Sequence, residues 1–177
     1  NDAFAVSHRE NASITEVPKY LSHYAGLLLQ EEVKVLSGIL ENPKRPLVVI
    51  IGGAKVETKL PLVEKMRDVA DYVLVGGKIV KEITPLLKAT PKTINKKETL
   101  LIASLNPDGF DITKKSVDEF LKIINTAKTV VWNGPVGLVQ SSKFKVQSSE
   151  EDTERGSREL ANGIARSKAY TVVGGGD

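Results

Sequence analysis

The stretch PLVVIIGGAKVETKL, Pro46 to Leu60, constrains this chain more than any other. Leu47 to Ile51 is an unbroken apolar run rich in β-branched residues, as expected of a strand covered on both faces. Gly52 and Gly53 follow, where a missing Cβ permits positive φ and a close backbone approach to a ligand. From Val56 to Val69 the spacing turns helical, with Val56, Leu60, Val63 and Met66 on one face. Pro61 is tolerated in a first turn, so the regular helix is expected to begin near Lys59. Strand, glycine turn and helix in that order set free N–H groups and a positive dipole end beside Lys55 and Lys59. That is a place for phosphate. Lysines four residues apart are common on solvated helix faces. At a helix N-terminus, however, they oppose the dipole, and a bound polyphosphate would explain that cost.

The rest of the chain repeats the theme. Leu27 to Leu40 carries Leu28, Leu29, Val33, Leu36, Ile39 and Leu40 at helical steps, with Gly26 at its start and Asn42-Pro43 at its stop. Tyr72 to Val75 reads as a second strand ended by Gly76-Gly77, followed by a helix from Lys78 to about Lys88 that Pro85 kinks or stops. Leu100 to Ala103 reads as a strand and Asn106-Pro107-Asp108-Gly109 as a turn. Ser116 is read as the N-cap of a helix carrying Val117, Phe120, Leu121 and Ile124, with Glu119 completing a capping box. Thr129 to Trp132 is the next strand, running into Asn133-Gly134-Pro135-Val136-Gly137. A polar stretch from Gln140 to Glu151 leads to a helix over Thr153 to Ala165, with Leu160, Ala161 and Ile164 inward, and to a last strand, Tyr170 to Val173.

Strand–helix alternation implies right-handed crossovers, hence an α/β fold with a doubly wound parallel sheet and helices on both faces. Ligands bind beyond the carboxyl ends of such strands. Four strands end there in loops rich in glycine: Gly52-Gly53, Gly76-Gly77, Asn133-Gly134-Pro135 and Gly174-Gly175-Gly176. A glycine pair after one strand is ordinary turn chemistry; four on one edge argue for a nucleotide or phosphate crevice.

Composition narrows the classes. At 177 residues, 41% hydrophobic and 27% charged, the chain can build one globular domain with a core, or one domain with an attachment. Its net charge of +3 suits anionic ligands but is too small and scattered to argue for nucleic acid. Without cysteine there is no disulfide or thiolate chemistry, which fits a reducing compartment. No apolar run approaches the ~20 residues of a membrane span, and no signal peptide is evident. GGAK is not a Walker A loop, and no G-x-G-x-x-G fingerprint or Ser-His-Asp arrangement is present. His8 and His23 are too few for a metal site of the usual kind. His8 and Arg9 could bind an oxyanion, though a surface loop is the plainer reading. The start at Asn1 without a methionine, and the end at Asp177 directly after three glycines, are read as the marks of a fragment.

NDAF followed by HR, then GGAKVETK, VWNGPVG and a terminal GGGD, stand here in the order found in phosphoglycerate kinases, and the chain resembles that family over nearly its whole length. The resemblance implies 1–26 as a remnant of the N-terminal domain, 27–42 as the interdomain helix and 43–177 as a nucleotide-binding domain incomplete at its C-terminus. It implies reversible phosphoryl transfer between 1,3-bisphosphoglycerate and MgADP in a cytoplasmic, monomeric enzyme of glycolysis, with no nucleic-acid or membrane partner. Lys55 and Lys59 would meet the nucleotide phosphates and the transferring group as catalytic residues. Gly52, Gly53, Gly76, Gly77, Asn133, Gly134, Pro135, Gly137, Gln140, Gly174, Gly175, Gly176 and Asp177 would bind the nucleotide. Asp177 would serve Mg2+, and Arg9 with His8 the triose phosphate.

The departures from the family pattern are specific. Val139 and Gln140 stand where an aromatic and a ribose-holding glutamate are usual, Thr58 replaces an acidic residue, and Lys78 replaces a third glycine. The Gly77–Asn106 stretch is short, Asp108-Gly109-Phe110 stands for a GWMG segment, and most of the N-terminal domain is absent. The alternatives are a non-catalytic nucleotide-binding domain, a degenerate scaffold, and a dehydrogenase-like dinucleotide domain supported by fold alone.

Overall fold

The computed structural model describes residues 1–89, 100–139 and 152–174, without the side chains of 87–89. The chain divides into two compact units, Asn1–Pro43 and Lys44–Asp177. In the first, 3-10 turns at Phe4–Val6 and Val17–Lys19 flank a short helix α1 (Ala12–Thr15) and precede α2 (Leu27–Glu41), whose bounds are those its apolar spacing predicts. Gly26 supplies no side chain to cap α2. Asp2 does so instead, its carboxylate accepting the Leu29 N–H at 2.9 Å, while the Asn1 carbonyl accepts the Gly26 N–H at 2.7 Å.

The second unit is a five-stranded, all-parallel sheet in the order β3-β2-β1-β4-β5. The strands are β1 (Leu47–Ile51), β2 (Tyr72–Val75), β3 (Leu100–Ile102), β4 (Thr129–Asn133) and β5 (Tyr170–Gly174). Between them run α3 (Val56–Val69), α4 (Val80–Ala89), α5 (Lys114–Ile124) and α6 (Arg155–Arg166). This is the expected doubly wound α/β fold. Strand β1 lies at the centre, and all its residues are buried, as its continuous apolar run requires. Val48, Ile50, Leu74, Val130 and Trp132 face one side, where Val117, Phe120 and Ile124 of α5 and Leu160 and Ile164 of α6 complete the core. Leu47, Val49, Ile51, Val73 and Val75 face the other and are equally buried.

Four expectations are corrected. Helix α3 begins at Val56, not near Lys59, and carries Pro61 inside it. Proline there removes a bond to the Glu57 carbonyl. Glu57 and Pro61 are both exposed, so water can take the vacant acceptor, while Val56 gains burial by joining the helix. Likewise α4 starts at Val80, later than Lys78, and runs through Pro85. The N-cap of α5 is Thr113, not Ser116: the Thr113 hydroxyl accepts the Ser116 N–H at 3.3 Å. Ser116 lies buried in the first turn and accepts the Ser104 N–H at 2.9 Å, so Glu119 forms no capping box with it. Ala161 of α6 is exposed, and Gly156 takes an inward position instead.

Candidate functional site

The C-terminal ends of β1, β2, β4 and β5 are tied together by backbone hydrogen bonds. The Gly52 N–H donates to Asn133 O at 2.9 Å and the Gly53 N–H to Pro135 O at 2.8 Å. The Gly76 N–H donates to Ile51 O at 3.0 Å, the Ile79 N–H to Gly53 O at 3.2 Å, and the Gly134 N–H to Gly174 O at 3.3 Å. The glycines make this crossing of loops possible. A Cβ on Gly52 would lie 2.1 Å from Pro135 O, and one on Gly77, whose φ is +78°, would lie 2.9 Å from Gly53 N. The close approach that the sequence assigns to a ligand is therefore made, in Gly52 and Gly53, to the neighbouring loop.

Lys59 reaches this junction from the second turn of α3, where its ammonium donates to the Asn133 side-chain oxygen. The GGAK helix and the WNGPVG loop, 74 residues apart, thus meet through two of the residues singled out in the sequence. Lys55 is the N-cap of α3, is exposed, and makes no side-chain cap bond. Lys55 thus leaves the first turn of α3 without a side-chain cap of its own, and the N–H groups there face the position that the dipole makes favourable for an anion. The indole N–H of Trp132 donates to Gly134 O at 2.7 Å and holds the loop against the strand that precedes it.

Gly52, Gly53, Gly76, Gly77, Asn133, Gly134, Pro135 and Gly174 are thus gathered at one edge with Lys59. His8 and Arg9 are exposed in the first unit. Gln140, Gly175, Gly176 and Asp177 lie outside the described residues.

Residues that the sequence reading passed over hold the 133–138 loop from behind. Ser157 Oγ accepts the Val136 N–H at 3.1 Å and the Gly137 N–H at 3.3 Å. The Thr153 hydroxyl donates to Leu138 O at 2.8 Å, and the Leu138 N–H donates to Phe110 O at 2.8 Å. Asp111, only 1% exposed, accepts the Ile112 N–H and the Gly156 N–H, both at 2.8 Å. The one sequence hint is an aspartate lodged between Phe110 and Ile112; nothing in the polar run around Ser157 marks it.

Burial raises the Asp111 pKa above its ordinary 3.8, outweighing the two amide hydrogen bonds and the positive charge of Arg155, with Asp152 adding a smaller upward push. The folded protein therefore holds this proton to a higher pH than the unfolded chain. Its contribution to stability is complete below 3.8 and is lost as pH rises through the raised value. Thermal midpoints of wild type and Asp111→Asn measured across that window should show wild type losing ground to the variant as pH rises. A constant difference would sink the assignment.

The family model for phosphoglycerate kinase matches the chain over residues 1–103 and 87–177. A phosphoglycerate kinase of Baumannia cicadellinicola is 36% identical over 213 residues, covering 99% of this chain and 52% of that protein. That of Leptospira biflexa is 31% identical over 221 residues, covering 100% and 53%. Among solved structures, phosphoglycerate kinase from Coxiella burnetii superposes with a TM-score of 0.71 at 32% identity, covering 99% of this chain and 54% of that one. The enzyme from Pyrococcus horikoshii gives 0.76 at 24% identity and supports the fold alone. The chain spans about half the length of the relatives it matches.

Proposed function

Because the chain belongs to the phosphoglycerate kinase family, we propose that it supplies the nucleotide side of reversible phosphoryl transfer between 1,3-bisphosphoglycerate and MgADP, giving 3-phosphoglycerate and MgATP. The observation that carries this reading is the meeting of Lys59 with Asn133 beside an α3 N-terminus whose own N-cap residue, Lys55, makes no side-chain cap bond. Phosphoryl transfer asks of a protein mainly position and charge, and both are provided where a polyphosphate would lie. In this reading Lys59 and Lys55 hold the β-phosphate and the transferring group, while the α3 amides take the remaining oxygens. The glycine loops at 52–53, 76–77, 134–137 and 174–176 line the nucleotide, with Gln140 at the ribose.

No cluster of three or more His, Asp or Glu able to hold a metal occurs among the described residues. In this reading magnesium comes in on the nucleotide phosphates, with Asp177 as its protein ligand. Mg2+ is suited to such a site, since it keeps several waters and needs few carboxylates. The triose phosphate would meet His8 and Arg9 and, above all, the part of the family's N-terminal domain that this chain does not span; in this reading 1–26 belongs to that domain and 27–42 is the connecting helix. The isolated chain is therefore expected to bind MgADP as a monomer and to show little or no turnover. No described helix is long and apolar enough to cross a membrane, and the cytoplasm, with glycolysis, is the setting this reading assigns.

The test is a titration of MgADP followed by Trp132, the sole tryptophan, which lies next to Asn133. Saturable binding is expected, weakened about ten- to a hundredfold by Lys59→Ala, the effect of losing a charge-assisted hydrogen bond. Absence of both a fluorescence change and calorimetric heat would leave the family fold without its ligand. Turnover comparable to an intact enzyme would refute the division of labour.

A further inference from the structure

The buried carboxylate of Asp111 has no part in the nucleotide reading above, yet it is joined to the proposed site by a short, continuous set of contacts. Its Oδ2 accepts the N–H of Gly156 in the first turn of α6. The next residue, Ser157, accepts the Val136 and Gly137 N–H groups from the 133–138 loop. On the other side, Phe110 precedes Asp111 in the chain and accepts the Leu138 N–H through its carbonyl. The C-terminal half of the loop is therefore held from two sides, by α6 at Val136 and Gly137 and by the segment carrying Asp111 at Leu138. Space is as tight as the bonding: a Cβ on Gly137 would lie 2.4 Å from Asp111 Oδ1, and one on Gly156 would lie 2.5 Å from the same atom. The front of the loop meets the glycine turn after β1, through Pro135 O and Gly53 N–H, and meets Lys59 through Asn133.

We propose that Asp111 is a positioning residue for nucleotide binding: by clasping the first turn of α6 it sets Ser157 against the 133–138 loop, and so sets Asn133 and Pro135 against Lys59 and Gly53. The proposal rests on the nucleotide reading of that edge. It also explains why a carboxylate occupies an interior position where burial opposes its charge. Aspartate offers two acceptors at the reach that Gly137 and Gly156 leave open. Asparagine would turn an NH2 toward one of the two donors, and glutamate is one methylene too long for the gap.

Two readouts separate positioning from support of the fold alone. The first is the Trp132 emission spectrum without nucleotide, since the indole is bonded to Gly134 inside the loop. The second is the MgADP dissociation constant, measured well below the melting temperature. Asp111→Asn should shift the emission and weaken MgADP about tenfold, the effect of one lost hydrogen bond acting on the site. Ser157→Ala leaves Asp111 intact and removes the loop's acceptor, so it should produce the same two changes. It also decides the matter if Asp111→Asn fails to fold. A lower melting temperature with unchanged emission and unchanged affinity in the variants would overturn the proposal. If wild type binds no MgADP, the nucleotide reading falls first. The emission spectra then decide whether Asp111 positions the loop, and unchanged spectra in both variants would overturn that too.

Discussion

Replacing Gly52 with alanine is expected to destabilise the protein by about 3 kcal/mol, the upper range for forcing atoms into a closed interior. The new methyl would lie 2.1 Å from Pro135 O and 2.7 Å from Gly134 O. Both obstacles are backbone atoms, so no rotamer change relieves them. Relief requires the β1 and β4 ends to part, which would break the bonds from Gly52 to Asn133 O and from Gly53 to Pro135 O. The same movement would draw Asn133 away from Lys59, so MgADP binding should fall with stability. Gly38→Ala is the control. It has nothing within 4 Å and lies within helix α2, where the substitution is expected to add up to about 1 kcal/mol. Urea unfolding of the two variants should give shifts of opposite sign. A Gly52→Ala midpoint equal to wild type would show that the loop crossing is not as close as described.

Phe120→Ala should have a comparable or larger effect, about 3–5 kcal/mol. Phe120 is 1% exposed and is among the largest fully buried side chains of the chain. It belongs to the cluster in which α5 and α6 share one face of the sheet, with Val117, Ile124, Leu160 and Ile164. Truncation removes both the transfer free energy of the ring and the contacts of its lining, and a core at interior packing density collapses only partly onto the gap. Against a typical total of about 5–15 kcal/mol, the variant would be close to the edge of folding at body temperature. Chemical denaturation at 25 °C measures this directly. A loss under about 1 kcal/mol would mean that the cavity closes, and that the α5–α6 layer is softer than its burial indicates.

The strands were legible in the sequence because of where they sit. A strand buried on both faces has to be apolar at every position, so β1 and β2 appear as uninterrupted runs with glycine at their ends and agree with the structure to the residue. The end of β3 is one residue earlier than expected, while β4 and β5 each extend one residue further. Helix α2 was equally plain, since Gly26 and Asn42-Pro43 bracket its periodic apolar positions. Pro61 misled at α3 because a propensity rule treats the missing N–H as a fixed cost, whereas on an exposed face the unmatched carbonyl can bond to water. Ser116 misled because its hydroxyl is held by Ser104, twelve residues away, in a contact that no local pattern announces.

For the candidate site, the residue types and their order along the chain place Lys59, Asn133 and the glycines of the first three loops at one edge of a parallel sheet, where the structure brings them together. That follows from chemistry and topology: chain alternation puts every βα turn at the same end of the strands. The sequence could not say what each glycine faces, which amides are already bonded, or that Asp111 stands behind the loop. The Gly52–Pro135, Lys59–Asn133 and Asp111–Gly156 pairs join segments that lie far apart in the chain. Such pairs leave no periodicity and no local motif; they exist only once the sheet has brought the ends of its strands within a few ångströms of one another.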